Sequence, residues 1–460
     1  MNQMATSEKA REKVRFGTDG IRGVANVELT AEIALAVGRC VAHHLCIVKK
    51  GTPGRVLVGK DTRVSGDMIE TALVAGITSA GCEAWRVGIT PTPSLAYLTK
   101  NLGCDCGIMI SASHNPVEDN GIKVFSGEGY KLEDDDERAI EQFIAQGPRA
   151  LKLPAGDNVG ASLDKGNMAV NYISHVKRLL RGVFMEGRIV VDCANGAASK
   201  CAKRIFRETA EDVVFINADE DGRKINVDCG STRPDKLARK VVKHGAALGF
   251  AFDGDADRVI FIDEKGDVVD GDQVMLLCAA NMMKESRLPK KTVVATVMSN
   301  MGFEQGLKKI GGRMIRTAVG DKFVIREMIA GGYTLGGEQS GHVIFLVLST
   351  TGDGLITAAQ TIKYAAEAGK PFSELTKMKH SAQFLKNIRV PDRDAFYRND
   401  KIQKKVAEIE KRLGDNGRVV VRPSGTEPLV RVMVETWDRE IAESSTDEIL
   451  DTVRKELKVG

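Results

Sequence analysis

Residues 247–263 read ALGFAFDGDADRVIFID. One apolar run, Ala247 to Phe252, stops at a polar hexapeptide, and a second, Val259 to Ile262, follows it. Short runs rich in Phe, Val and Ile and bounded by Gly and Asp read as strands. Asp253-Gly254-Asp255-Ala256-Asp257-Arg258 therefore lies at a strand's carboxyl end, where open α/β sheets place ligands. Three carboxylates at alternate positions of a tight loop converge on one hard cation, and the small Gly254 and Ala256 let them crowd together. Oxygen-only ligation suits Mg2+. An EF-hand does not fit, because the sixth-position glycine and the distal glutamate are missing. The competing reading is a solvated acidic turn.

The same grammar recurs on either side. Val56–Gly59 is a strand that ends at Asp61-Thr62-Arg63, after which Ser65 is expected to cap a helix through about Ala80, with Met68, Leu73 and Ile77 on its apolar face. Gly107–Ile110 runs into Ser111-Ala112-Ser113-His114-Asn115-Pro116, Arg188–Asp192 into Cys-Ala-Asn-Gly, and Thr292–Val297 into Ser299-Asn300. Alternating strands and amphipathic stretches predict an α/β fold of βαβ units. A Gly-, Pro-, Asp- and Asn-rich stretch over 147–166 marks a linker, a second boundary follows 263–270, and a third lies at 370–386. From about Ala407 a helix, strand, loop, strand and final helix predict a small α+β unit. The expected division is a tail over 1–13, then units 14–160, 161–266, 267–376 and 377–460.

Length and composition agree with several small-molecule-binding units. At 460 residues the chain is long enough for about three domains or a few more. With 66 Lys+Arg against 62 Asp+Glu, the net charge of +4 lacks the concentrated basic surface of a nucleic-acid binder. The nine cysteines show no C-x-x-C pair and no zinc spacing, so they read as reduced thiols of a cytoplasmic protein. The polar residues 1–13 do not resemble a signal peptide, and the longest apolar run, Val343–Leu348, is too short to span a bilayer, so no membrane association is expected.

Four further motifs carry chemistry. Ser113, on a sharp turn among small residues and followed by His114, is placed as an exposed nucleophile, although Ser/Asn/Pro loops are often plain turns. Lys123, in Asn120-Gly121-Ile122-Lys123, reaches toward the same pocket as a candidate acid or base, with a surface lysine as the alternative. Gly336-Gly337-Glu338-Gln339-Ser340-Gly341-His342 sets carboxylate, hydroxyl and imidazole groups on a glycine loop suited to sugar hydroxyls. Arg422-Pro423-Ser424-Gly425-Thr426-Glu427-Pro428, followed by Arg431, joins two guanidinium forks to hydroxyls and exposed amides, the makings of a phosphate clamp. Gly17-Thr18-Asp19-Gly20-Ile21-Arg22-Gly23 adds another glycine-flexed arginine.

In this order the five loops GTDGIRG, SASHNP, DGDADR, GGEQSGH and RPSGTEP, spread over almost the whole chain, resemble those of the α-D-phosphohexomutase family. ISASHNP, the glutamine of GGEQSGH and Thr350–Gly354 (TTGDG) are most similar to its phosphoglucosamine mutase branch; the phosphomannomutase/phosphoglucomutase branch is the alternative. A phosphosugar phosphatase or a non-catalytic sensor is the more distant one.

The resemblance implies three α/β domains and a smaller carboxyl-terminal α+β domain around a central cleft. It makes Ser113 a phosphoserine that holds one Mg2+ together with Asp253, Asp255 and Asp257. His114 and Arg258 would lie beside the reacting phosphoryl group, while Lys123 and Arg22 would assist proton transfer and charge balance. Glu338, Ser340 and His342 would meet the sugar, and Arg422, Ser424, Gly425, Thr426 and Arg431 the other phosphate. It further implies a hexosamine phosphate substrate, a bisphosphorylated sugar as intermediate and activator, and a place in the supply of UDP-N-acetylglucosamine for cell-wall precursors. The assembly it allows is a homodimer, and a mobile last domain is expected, hinged over 370–386. Two departures stand out: Ala256 replaces a usual glycine, and VLS precedes TTGDG.

Overall fold

A computed structural model describes residues 14–147, 151–390, 392, 395–423, 429–457 and 459. The expected tail over 1–13 and the clamp residues Ser424, Gly425 and Thr426 lie outside the described residues.

Four sheets follow one another along the chain. The first contains β1 (Ile21–Val24), β2 (Arg55–Lys60), β3 (Glu83–Ile89), β4 (Cys106–Ile110), β5 (Asp119–Ser126) and β6 (Ser162–Asp164), in the order β1-β5-β4-β2-β3-β6. β4, β2, β3 and the edge strand β6 run parallel, and β5 and β1 close the opposite edge through antiparallel pairings. The second contains β7 (Met185–Asp192), β8 (Ala210–Ile216), β9 (Leu248–Phe252), β10 (Val259–Asp263) and β11 (Val268–Val269), in the order β11-β10-β9-β7-β8. The third contains β12 (Thr292–Thr296), β13 (Arg313–Thr317), β14 (Leu335–Gly337) and β15 (Val343–Phe345), in the order β13-β12-β14-β15. The last is an antiparallel sheet of β16 (Ala382–Arg389), β17 (Gly417–Pro423) and β18 (Leu429–Thr436), in the order β16-β18-β17, backed by helices 400–413 and 439–457. The fold is thus three α/β units and one smaller α+β unit.

Hydrophobic burial explains the layering. β4 and β9 are buried along their whole length, as expected of central strands covered on both faces. One continuous core runs from Tyr172 through Phe250 and Phe261 to Phe345 and Phe372, so the second and third units share an interior. The first unit has cores on the two faces of its sheet, and the last has its own.

Several local expectations change. β6 lies within the 147–166 linker and past residue 160, yet it pairs with β3, because Ser162 and Leu163 extend alongside Ala84 and Trp85. Ser65 stands before helix 66–79 but does not cap it; its backbone is helical and its hydroxyl accepts from Asn120 Nδ2 at 2.9 Å. Within the last unit, expected over 377–460, a strand not anticipated, β16, comes first, and the helix expected from about Ala407 starts at Asp400, capped by Asn399. Ala31–Val48 is long and apolar enough by composition to cross a bilayer, with a hydropathy of 1.5, but 56% of that window is buried, much of it against helix 66–79.

Candidate active site

The loop after β4 turns through Ser113 at φ 54°, a left-handed conformation that presents the side chain toward the second unit. Its backbone is pinned from several sides. Ser111 Oγ accepts from Ser113 N at 2.9 Å, and the Ser113 carbonyl accepts from Arg63 Nη2 at 3.0 Å and Asn226 Nδ2 at 2.9 Å. Arg63 also donates to the carbonyls of Asn115, Pro116 and Asp119, so one buried guanidinium gathers the whole nucleophile loop. Asp61 holds that guanidinium at 3.1 Å and accepts from Ser111 Oγ at 2.6 Å. The DTR turn was legible only as a turn; a charged pair at the end of a buried strand was the signal of a structural anchor.

Ser113 Oγ donates to Asp253 Oδ2 at 2.6 Å and lies 3.2 Å from His114 Nδ1. Asp253, Asp255 and Asp257 each bring a carboxylate oxygen within 4.8 Å of the others, all buried. Three consecutive carbonyls of this loop are tied to three segments: Gly254 O accepts from Ala197 N at 2.8 Å, Asp255 O from Thr92 N at 3.0 Å, and Ala256 O from Gly354 N at 3.0 Å. The loop is therefore fixed by the first, second and third units together.

The electrostatics follow from burial and crowding. Asp253 is pushed well above the carboxylate range by burial and by the charges of Asp257 and Asp255. Asp257 is driven the other way: burial opposes its charge, but Lys123, His342 and Arg258 outweigh it. Asp255 Oδ1 and Asp257 Oδ1 are buried with no hydrogen-bond partner among the described residues. Converging acidic oxygens with unused lone pairs fit a hard divalent cation held by the three aspartates and the serine oxygen.

Lys123 is buried and reaches the metal loop itself. Its ammonium lies 2.8 Å from Asp255 Oδ2, 3.0 Å from Asp19 Oδ2 and 3.6 Å from Asp257 Oδ2. Burial opposes its charge, but Asp19, Asp255 and Asp257 prevail and raise its pKa. Arg22 donates to Asn115 Oδ1 at 3.1 Å and pairs with Asp19. Lys131 bridges Asp19 at 2.5 Å and Asp321 at 2.7 Å. Asp19, Lys131 and Asp321 did not stand out individually in the sequence; they meet only because β1, the segment after β5 and the start of helix 321–331 converge.

A cavity of about 520 Å³ opens over this network, lined among others by Arg22, His114, Arg258, Glu338, Arg422 and Arg431. Burial, with Arg258 and Arg22 adding to it, lowers the His114 pKa to about 4, so its ring is neutral near pH 7. Arg258 stays charged: burial opposes it, and Asp257 and Asp253 raise it. Glu338 Oε1 accepts from Gly320 N at 3.2 Å, and the exposed Ser340 donates to Glu338 Oε2 at 3.3 Å. His342 lines the same cavity. It is 3% exposed, with its ring nitrogens 3.7 Å from Asp257 and 3.6 Å from Asp321. Gln339 turns away to Asp270 Oδ2 at 3.1 Å.

Arg422 and Arg431 sit directly opposite each other on β17 and β18. Like charges at such a position repel. Burial and Arg431 accordingly lower the Arg422 pKa.

Fold and site together define a phosphoryl-transfer enzyme. The chain belongs to the phosphoglucomutase/phosphomannomutase family: alpha/beta/alpha domains I, II and III match residues 13–150, 170–266 and 270–381, and the C-terminal domain matches 385–452. It is 47% identical to a phosphoglucosamine mutase of Geobacillus thermodenitrificans over 445 residues, covering 96% of this chain and 99% of that one. A phosphoglucosamine mutase of Thermoanaerobacter pseudethanolicus is 48% identical over 446 residues, with the same coverage. In fold it is similar to a phosphoglucomutase/phosphomannomutase family protein of Burkholderia thailandensis (TM-score 0.82, 23% identity, 98% and 99% of the two chains). It is also similar to the Aspergillus fumigatus N-acetylphosphoglucosamine mutase solved with GlcNAc-6P and magnesium (TM-score 0.68, 19% identity, 99% of each).

Proposed function

We propose that this chain is a phosphoglucosamine mutase, interconverting glucosamine 6-phosphate and glucosamine 1-phosphate through a phosphorylated Ser113 and a bisphosphorylated sugar. The observation that carries the reading is the Ser113 hydroxyl, 2.6 Å from Asp253 in a buried aspartate triplet, beneath a cavity whose far side presents Arg422 and Arg431. The amino-sugar substrate rests on the relatives of 45–48% identity, all phosphoglucosamine mutases.

Phosphoryl transfer needs alignment and charge neutralisation more than covalent chemistry. Asp253, Asp255 and Asp257 would hold Mg2+, which supplies positive charge to the transferring oxygens. Arg258 and the Lys123 ammonium extend that positive field, and pre-set donors of this kind stabilise developing charge without reorganising. Asp253, hydrogen-bonded to Ser113 Oγ, is positioned to accept its proton. His114 and Arg22 border the phosphoryl path, and Glu338 and Ser340 offer polar contacts to the sugar. The opposed arginines form a clamp that grips phosphate in either orientation of the sugar, as a bisphosphate that turns end for end requires. His342 enters this reading as a partner of Asp257.

The four units keep the divisions at 266 and 376, and the one at 160 moves past β6 (Ser162–Asp164), which joins the first unit. The nine buried cysteines support a reducing, cytoplasmic setting, and a homodimer remains part of the proposal.

Mass spectrometry of cycling enzyme should find phosphate on Ser113, and Ser113→Ala should abolish turnover. Glucosamine phosphate should give the highest kcat/KM among glucosamine, glucose and mannose phosphates. Phosphate release faster than isomerisation would identify a phosphatase instead.

A further inference from the structure

A second cavity, about 440 Å³, lies behind the metal loop between the first and second units. Its floor is the carboxyl end of β2 and β3, and its roof comes from helices 169–179 and 198–206. It holds polar groups that the catalytic reading does not use. Glu70 is 8% exposed; its Oε2 pairs with Lys60, while its Oε1 is buried without a hydrogen-bond partner among the described residues. Arg86 Nε, on the same floor, is likewise buried and unpartnered. Lys200 and Arg204, one turn apart on helix 198–206, line the roof.

Burying a carboxylate oxygen and a guanidinium N–H without partners is unfavourable. The two do not pair with each other. A ligand that satisfies both carries an anion at one end and a hydroxyl donor at the other. We infer that this crevice binds a small hydroxylated organic phosphate, its phosphate on Arg86, Lys200 and Arg204 and a hydroxyl donating to Glu70 Oε1. The volume is in the range of small-molecule sites.

The walls connect this site to the metal loop. The turn after β3 and the helix Thr92–Asn101 that follows it line the crevice through Thr90, Pro91 and Ser94, and Thr92 donates from N to Asp255 O at 3.0 Å and from Oγ1 to Asp255 Oδ2 at 2.5 Å. On the other wall Ala197 donates to Gly254 O at 2.8 Å. An occupant that sets the spacing of these walls sets the position of the aspartates, so occupancy and cation affinity are linked. This linkage rests on the proposed metal site; the binding itself does not.

The probe is sn-glycerol 3-phosphate, titrated calorimetrically with Mg2+ into enzyme carrying Ser113→Ala together with Arg422→Ala and Arg431→Ala, which removes the phosphate clamp of the catalytic cleft. One equivalent should bind, at least about tenfold more weakly in Arg86→Ala and in the exposed Lys200→Glu variant, each having lost a charge-assisted hydrogen bond. No heat, or affinity unchanged in both variants, overturns the site. In wild type the probe should shift the Mg2+ dissociation constant at least about fivefold, and Mg2+ should shift probe affinity by the same factor. Unchanged Mg2+ affinity with probe bound overturns the linkage, whereas absence of any Mg2+ binding overturns the metal reading and leaves the site standing.

Discussion

A Cβ added to Gly254 would stand 2.5 Å from the carbonyl oxygen of Ser113. The metal loop and the nucleophile loop thus touch backbone to backbone, and the 2.6 Å hydrogen bond from Ser113 Oγ to Asp253 depends on that contact. Gly254→Ala must push the loops apart. Misplacing reacting groups by about 1 Å costs on the order of 10²-fold in rate, so kcat should fall by about that factor. Circular dichroism should show a folded protein, because the interior of the second and third units is not touched.

Ala256, two residues on, predicts the opposite outcome. It sits at φ 57° with its methyl fully buried in the shared core. The left-handed conformation costs an alanine about 1–2 kcal/mol. Glycine removes that strain but loses roughly 0.8 kcal/mol of methyl burial and adds about 0.5–1 kcal/mol of backbone entropy cost. These nearly cancel. Ala256→Gly should keep kcat/KM within about twofold and leave the denaturation midpoint almost unchanged, which accounts for how alanine is tolerated here.

Lys123 is the internal counter-charge of the acidic loop. Removing one partner of a buried ion pair costs about 3–5 kcal/mol. Lys123→Met should therefore lower the melting temperature in EDTA, and Mg2+ should restore more stability to the variant than it adds to wild type, since the cation then faces uncompensated aspartates. Turnover should stay at least about 10²-fold down even with Mg2+ saturating, as loss of a transition-state donor predicts. Differential scanning calorimetry with and without Mg2+, paired with kcat, checks both halves.

How much of this was legible in the sequence depended on distance along the chain. Asp253, Asp255 and Asp257 declare themselves because alternate spacing on one loop is local, and Ser113 because the turn that exposes it is made of its neighbours. Asp19, Lys131 and Asp321 could not, since their contact is made only when three separate segments meet. Arg63 looked like a turn residue because the four carbonyls it gathers belong to a loop fifty residues away. β6 was hidden because three residues in a Gly- and Pro-rich stretch show no period; their pairing is imposed by the edge of β3. The exposed Val347 of the VLS segment finds no explanation in the structure.

Asp353 links pH to stability. It caps helix 354–368 and accepts from Tyr172 Oη at 2.8 Å, and burial pushes its pKa up to about 7. The folded protein then binds a proton that the unfolded chain releases near pH 4. Between roughly pH 4 and 7 the native state is the more protonated, so stability must fall as pH rises through that window, by up to about 1.4 kcal/mol per pH unit for one such group. Asp353→Asn keeps the cap acceptor and removes the titration. Urea unfolding in EDTA from pH 5 to 8 should give a shallower slope for the variant than for wild type; parallel slopes would remove Asp353 from the account.

The junction to the last unit is fastened at Glu435, which is fully buried. Its carboxylate accepts from Met301 N at 2.6 Å, from Arg418 Nε at 2.6 Å and from the Ser381 hydroxyl, while Arg418 donates to the carbonyls of Val297 at 2.6 Å and Ser299 at 2.7 Å. Ser381 lies within the segment expected to hinge, so any swing of the last unit pivots about this carboxylate. Glu435→Ala strands the Arg418 charge and frees the unit that carries Arg422 and Arg431. As the proposed clamp, those arginines would bind phosphate in ground and transition states alike, so loosening them removes uniform binding, which raises KM and spares kcat. KM for the sugar phosphate should rise about tenfold with kcat within about threefold, and hydrogen exchange should quicken across β16 and β18. A fall in kcat with KM unchanged would show that the junction acts on the chemical step and not on the clamp.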